Sequence, residues 1–179
     1  MPNGGAYDRS RALNTFGNVA FRLRELQQAR ACYDEALARA TGNKVGEAHL
    51  LGNLGQVLER SDLCHEAHDA FDAALALHRT LGNRLGEAAA RNGLGEAALA
   101  ADTPDRAVAE HTAALLLAAE SRSRPERARA HEGLARAEQR LARLGEAREH
   151  AGRAAELYEQ LDVPEAADAR ALRDSLGAD

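Results

Sequence analysis

Apolar residues recur along this chain at helical spacing, three or four positions apart. Between Asn43 and Arg60 they fall at Val45, Ala48, Leu51, Leu54 and Leu58. A polar break follows at Ser61-Asp62, and a second stripe (Ala67, Phe71, Ala74, Leu75, Leu77) runs to a glycine stop at Leu81-Gly82-Asn83. Thr103-Pro104 offers an N-cap with proline at the first helical position. Ser123 with Glu126, and Asp162 with Glu165, have capping-box spacing, each with a proline inside. The pattern predicts eight helices in four hairpins: about 8–25 with 26–41, 44–60 with 63–81, 84–101 with 104–121, and 124–142 with 145–161. A ninth helix is predicted at about 165–176. Its apolar face (Ala166, Ala169, Leu172, Leu176) and charged back suit a terminal cap. Residues 1–7 read as a flexible N-terminus and 162–179 as the capping helix and tail.

The hairpins are copies of one unit. Phe16-Gly17, Leu54-Gly55, Leu94-Gly95 and Leu134-Ala135 follow one another at 38, 40 and 40 residues. Two alanine columns keep the same register: Ala29, Ala67, Ala107, Ala147 and Ala36, Ala74, Ala114, Ala154. This divides the chain into units at about 8–43, 44–83, 84–123 and 124–161. Composition agrees. Of the apolar residues just over half are alanine, and isoleucine and tryptophan are absent. A pleated sheet lacks the β-branched and aromatic residues it needs here, whereas Ala, Leu, Arg and Glu are the strongest helix formers. The predicted class is all-α: an α–α superhelix of four hairpins with a C-terminal capping helix.

The Leu-Gly pair in a first helix, followed by alanine, aromatic, alanine in a second, resembles the tetratricopeptide repeat family. Leu54-Gly55 with Ala67, Phe71 and Ala74 carries the likeness, as does Phe16-Gly17 with Ala29, Tyr33 and Ala36. In the third unit His111 takes the aromatic position, and in the fourth Ala151 does. The period exceeds the family's usual length of about 34 residues. The Gly-Asn-x-x-Gly-Glu-Ala junction is similar to a long-repeat subgroup found in adaptor proteins and in the C-terminal regions of actinobacterial antibiotic-regulatory transcription factors.

Charge and chemistry narrow the function. The net charge of -5 argues against direct nucleic-acid binding. No apolar run reaches the length of a membrane span, and no signal peptide opens the chain. Cys32 and Cys64 lack framework spacing, which suggests a reducing, cytoplasmic setting. Gly93-Leu94-Gly95-Glu96-Ala97-Ala98 formally fits a dinucleotide fingerprint, but it lies in a predicted helix where a strand should precede. Cys64, His65 and His68 are the densest ligand cluster, yet no second cluster completes a metal site. His111 and His131 replace bulky family residues and are expected half-buried, with a pH switch as the minor alternative. No triad or carboxylate pair stands out. The expectation is a non-enzyme with no cofactor and no metal.

The resemblance implies a concave groove lined by the first helix of each hairpin. The residues it would place there are Arg11, Asn14 and Asn18, with Phe21 and Arg22 beside them; His49, Asn53 and Gln56, with Glu59 and Arg60; Asn92 and Glu96, with Leu99; and Arg129, Glu132, Arg136 and Arg140, with Gln139. The amides both donate and accept, which suits the backbone of an extended peptide. The family's chaperone-binding members hold a carboxylate with basic residues where Ala89 and Gly93 stand, so carboxylate capture is not expected. The predicted function is a protein–protein interaction module binding a peptide or partner helix in this groove. The alternative is a regulatory domain of a bacterial transcription regulator acting through intramolecular or self-association contacts, with homo-oligomerisation left open.

Overall fold

The computed structural model describes residues 4–40 and 42–177. Among them are nine helices and no strand: α1 (Gly4–Arg22), α2 (Leu26–Arg39), α3 (Lys44–Arg60), α4 (Cys64–Thr80), α5 (Arg84–Ala100), α6 (Pro104–Glu120), α7 (Arg124–Arg140), α8 (Leu144–Leu161) and α9 (Glu165–Ser175). The predicted helices are all present within a few residues. The first begins at Gly4, inside the segment expected to be flexible, and residues 1–3 lie outside the described residues.

The turns share one backbone device. One residue in each adopts the left-handed conformation: Arg24, Asp62, Asp102 and Ala142 within the hairpins, and Gly42, Gly82, Arg122 and Asp162 after the second helices. At two junctions the next helix is capped by asparagine. The Gly46 amide donates to Asn43 Oδ1 (3.1 Å) and the Gly86 amide to Asn83 Oδ1 (3.0 Å). The Gly-Asn-x-x-Gly phrase is therefore a stop, a cap and a clearance, since a Cβ on Gly86 would overlap the His78 ring. Ser123 caps α7 as predicted. The Thr103 hydroxyl instead turns back to the Ala98 carbonyl (2.9 Å). Asp162 ends α8 with φ at 54° rather than capping α9, whose N-cap is Pro164.

Both alanine columns are fully buried at every unit. Each lets two helices approach closely, and the aromatic positions fill what remains. Tyr33 lies against Gly17, Phe71 against Gly55 and His111 against Gly95, at distances that leave no room for a Cβ. Gly93 meets Phe71, and Gly133 meets His111, from the following hairpin. Phe71 and His111 are thus each clasped between two glycine faces, and each hairpin needs its neighbour to complete its core.

Consecutive first helices touch: α3, α5 and α7 pack in series, and α1 meets α3. The second helices have no comparable packing with one another. The stack therefore curves as a superhelix, with α1, α3, α5 and α7 on its inner wall. The chain closes with α9 packed on α8.

Candidate functional site

The inner wall is polar, and its side chains are tied laterally at the α1–α3 and α5–α7 junctions. At the α1–α3 junction Asn53 Nδ2 donates to Asn14 Oδ1 (3.0 Å) and Asn18 Oδ1 (3.3 Å). The Tyr33 hydroxyl donates to the same Asn18 oxygen (2.7 Å). Burial, then the neighbouring Cys32, push the Tyr33 pKa up to about 12, so it remains a donor. Asn18, Arg11 and His49 are exposed, while Asn14, Asn53 and Gln56 are half-buried. Beyond them the Arg60 guanidinium lies 4.6 Å over the Phe21 ring.

At the α5–α7 junction the ties are ionic. Arg129 grips Glu96 with two bonds (2.6 and 2.5 Å), and both side chains are largely shielded. Burial alone would raise the Glu96 pKa, but the Arg129 charge outweighs it and holds the carboxyl below its ordinary value. Burial opposes the Arg129 charge in turn, and Glu96 reverses that, so the guanidinium is more firmly protonated than usual. Glu59 is raised by burial and by the nearby Glu96. Glu132 accepts from Arg136 (2.6 Å) and from the Tyr158 hydroxyl (2.7 Å). Arg140 donates to the Leu99 carbonyl (2.7 Å) and Asp102 (3.1 Å). The three arginines of this end are therefore each paired within the chain.

Asn92 departs from expectation. It is fully buried, donates to the Glu126 carbonyl (3.0 Å) and carboxylate (2.9 Å), and lies 3.1 Å from His111 Nδ1. It serves the interior and is out of a partner's reach. His111 is also fully buried, not half-buried, and its Nε2 has no partner. Burial drives its pKa down to about 4, against the pull of Glu96. His131 falls to about 4 through burial and the adjacent His150, whose Nδ1 lies 2.8 Å from its own. The inter-helix role of both histidines escaped the sequence reading. A spacing of 19 residues marked it: His131–His150, Asn92–His111 and the Arg91–Glu110 ion pair all share that offset.

Around Cys64, His65 and His68, the Arg106 guanidinium lies against His68 Nε2. Among the described residues no group of three or more His, Cys, Asp or Glu is placed to hold a metal. None of the described helices is long and apolar enough to cross a membrane.

Comparison with known proteins bears on this geometry. Residues 8–80, the first two hairpins, match the family model described as tetratricopeptide repeat. Among curated proteins none matches the chain in sequence. Solved structures share its fold. The apo form of RapI aligns with a TM-score of 0.74 at 16% identity, over 90% of this chain and 46% of that one. A Rap protein complexed with competence and sporulation factor aligns at 0.82 and 15%, over 94% and 47%. BtubC from P. vanneervenii aligns at 0.79 and 14%, over 96% and 72%. The chain spans about half the length of the two Rap proteins.

Proposed function

We propose that the chain is a protein-interaction module whose inner wall holds an extended segment of a partner polypeptide. The supporting observation is the amide set Asn14, Asn18 and Asn53, oriented by mutual bonds of 3.0 and 3.3 Å and by the Tyr33 hydroxyl. A primary amide has two N–H groups and two acceptor lone pairs. The lateral bonds fix the orientation of these amides and occupy only part of that capacity. Pre-oriented donors and acceptors suit a peptide backbone of any sequence, because little side-chain freedom remains to be lost on binding. Arg11, His49 and Gln56 extend this surface, and Glu96, Arg129, Glu132, Arg136 and Arg140 continue it as a charged but internally paired stretch. The fold neighbour solved with competence and sporulation factor adds support by analogy.

The test is selection of displayed random dodecapeptides on the full chain, followed by affinity measurement on Asn14→Ala/Asn53→Ala. The reading expects enriched peptides that bind the double variant at least about tenfold more weakly, one such step being about 1.4 kcal/mol. Thermal unfolding should stay cooperative. No enrichment above that on an unrelated protein would overturn it.

A second reading, the regulatory domain acting by intramolecular or self-association contact, draws on α1. Phe16 and Val19 are 66% and 52% exposed, whereas their counterparts Leu94 and Ala97 are 2% exposed. In the later hairpins that face is covered by the preceding second helix. Sedimentation across a range of concentrations, wild type against Phe16→Glu, tests this reading. Concentration-dependent association lost in the variant supports it.

A further inference from the structure

Among the described residues no hydrogen bond or ion pair joins α3 to α5 across the inner wall, and a cavity of about 150 Å³ opens there. Phe71, Ala74 and Ala89 give it an apolar floor, His49, Asn53 and Gln56 a polar rim, and the buried His78 with Asn83 completes its wall. The chain's own repeats show why it is open. Gly52 stands 38 residues after Asn14 and 40 before Asn92, and 40 further on is Glu132. Ala89 falls in the column of Arg11, His49 and Arg129. At α5–α7 these two columns supply Asn92 and Arg129, which fill the junction and bond across it. At α3–α5 they supply a glycine and an alanine. A Cβ on Gly52 would meet nothing within 4 Å, so the space above it is clear.

We infer that this cavity is the specificity pocket of the groove and takes one apolar side chain of the partner, of leucine, methionine or phenylalanine size. The inference rests on the groove reading above and adds to it the partner's anchor residue. Apolar cavities of about 150 Å³ hold a group the size of benzene. Most of the deeper lining is apolar, and the His78 and Asn83 side chains in its wall are already engaged with each other (3.2 Å), so an apolar side chain loses less on entry than a charged one, whose burial would have to be compensated. The rim has the complementary chemistry: Asn53 and Gln56 flank the opening and can hold the peptide backbone on either side of the anchor. Affinity would come from the floor and register from the rim, which is how a groove of sequence-tolerant amides acquires a preference.

The experiment uses the selected dodecapeptides and two variants of the full chain. Gly52→Asn copies the filler that the third hairpin carries at the same position, with open space to receive it. Ala89→Leu fills the same cavity from the α5 side. The inference expects the enriched peptides to share one Leu, Met or Phe position. Replacing that residue by Ala should weaken binding roughly 10- to 100-fold, the worth of burying one such side chain. Gly52→Asn and Ala89→Leu should each give a comparable loss for the parent peptide and little further loss for its Ala version. Peptides that bind wild type and both filled variants equally, or that share no apolar position, would overturn the pocket and leave the groove reading standing. Peptides that bind neither wild type nor variants would overturn both.

Discussion

His111 is a polar residue in an aromatic position, and replacing it tests the account of the core. Its ring is fully buried between Gly95 and Gly133, Nδ1 faces Asn92 and Nε2 faces no partner. Phe71 occupies the equivalent place between Gly55 and Gly93, so a phenyl ring is already known to fit this clasp. The perturbation is His111→Phe with Asn92→Ala, which removes both members of the polar pair. At pH 8 the terms nearly cancel. An unsatisfied buried nitrogen costs about 1–3 kcal/mol, and the Asn92 bonds to Glu126 return about 1 kcal/mol each.

The decisive quantity is the response to acid. Burial lowers the folded-state pKa of His111 from 6.5 to about 4. The folded chain therefore keeps this ring neutral while the unfolded chain takes up a proton. Its contribution is fully present above pH 6.5 and is lost as pH falls from there through the folded value. At pH 5 the loss relative to pH 8 is about 2 kcal/mol. His131, lowered to about 4 chiefly by burial, adds a loss of the same sign. Glu59 and Glu138, both raised by burial, act in the opposite sense. All three remain in the variant and cancel in the comparison. Urea unfolding followed by far-UV circular dichroism at pH 8 and pH 5 should show wild type losing about 2 kcal/mol more than the double variant. Equal acid losses in the two proteins would refute the placement of a neutral, unpartnered His111 in the core.

Other positions yield shorter tests. Ala142 holds φ at 58°, where an L-residue other than glycine is strained, so Ala142→Gly should stabilise the chain by about 1 kcal/mol, read as a higher urea midpoint. Breaking the shielded Arg129–Glu96 grip by either alanine substitution should cost about 1–3 kcal/mol, and a double-mutant cycle should return a coupling of at least about 1 kcal/mol. Phe16→Ser should change stability by less than about 0.5 kcal/mol because the ring is 66% exposed. Its counterpart Leu94→Ser, at a site 2% exposed, should cost roughly 3 kcal/mol or more by the same urea measurement.

The architecture was legible because it is written four times. Three small-residue columns at 38, 40 and 40 fix where helices cross, and the structure buries the two alanine columns completely. Caps were harder to read. Asp162 and Glu165 have capping-box spacing, but a left-handed residue is needed after every second helix, and Asp162 serves that turn. The amides expected together at α1–α3 do stand together on the inner wall, whereas Asn92, expected beside them, turns into the core. Helix-face reasoning assigns a polar residue to the solvent side unless something inside requires it. Here His111 did, since a buried ring nitrogen needs a partner, and Asn92 lies 19 residues before it, directly across the hairpin.

The four units act as controls for one another, and the way each departs from the rest separates structural change from functional change. At α5–α7 two departures compensate each other. A histidine replaces the aromatic, and an asparagine turns inward to meet it. Such a pair answers a demand of the fold, because either member alone would be a buried polar group without a partner. At α3–α5 the departures go the other way. Gly52 and Ala89 remove side chains that the neighbouring hairpins carry, and nothing in the chain moves in to replace them. Glycine inside a helix costs about 1 kcal/mol relative to alanine, and the cavity forgoes packing that a larger residue would supply at once. The fold gains nothing from leaving that junction empty. On the proposed groove reading, a partner that brings its own side chain gains a seat there, and the two small residues, more than the amides beside them, are then the positions to test for ligand preference.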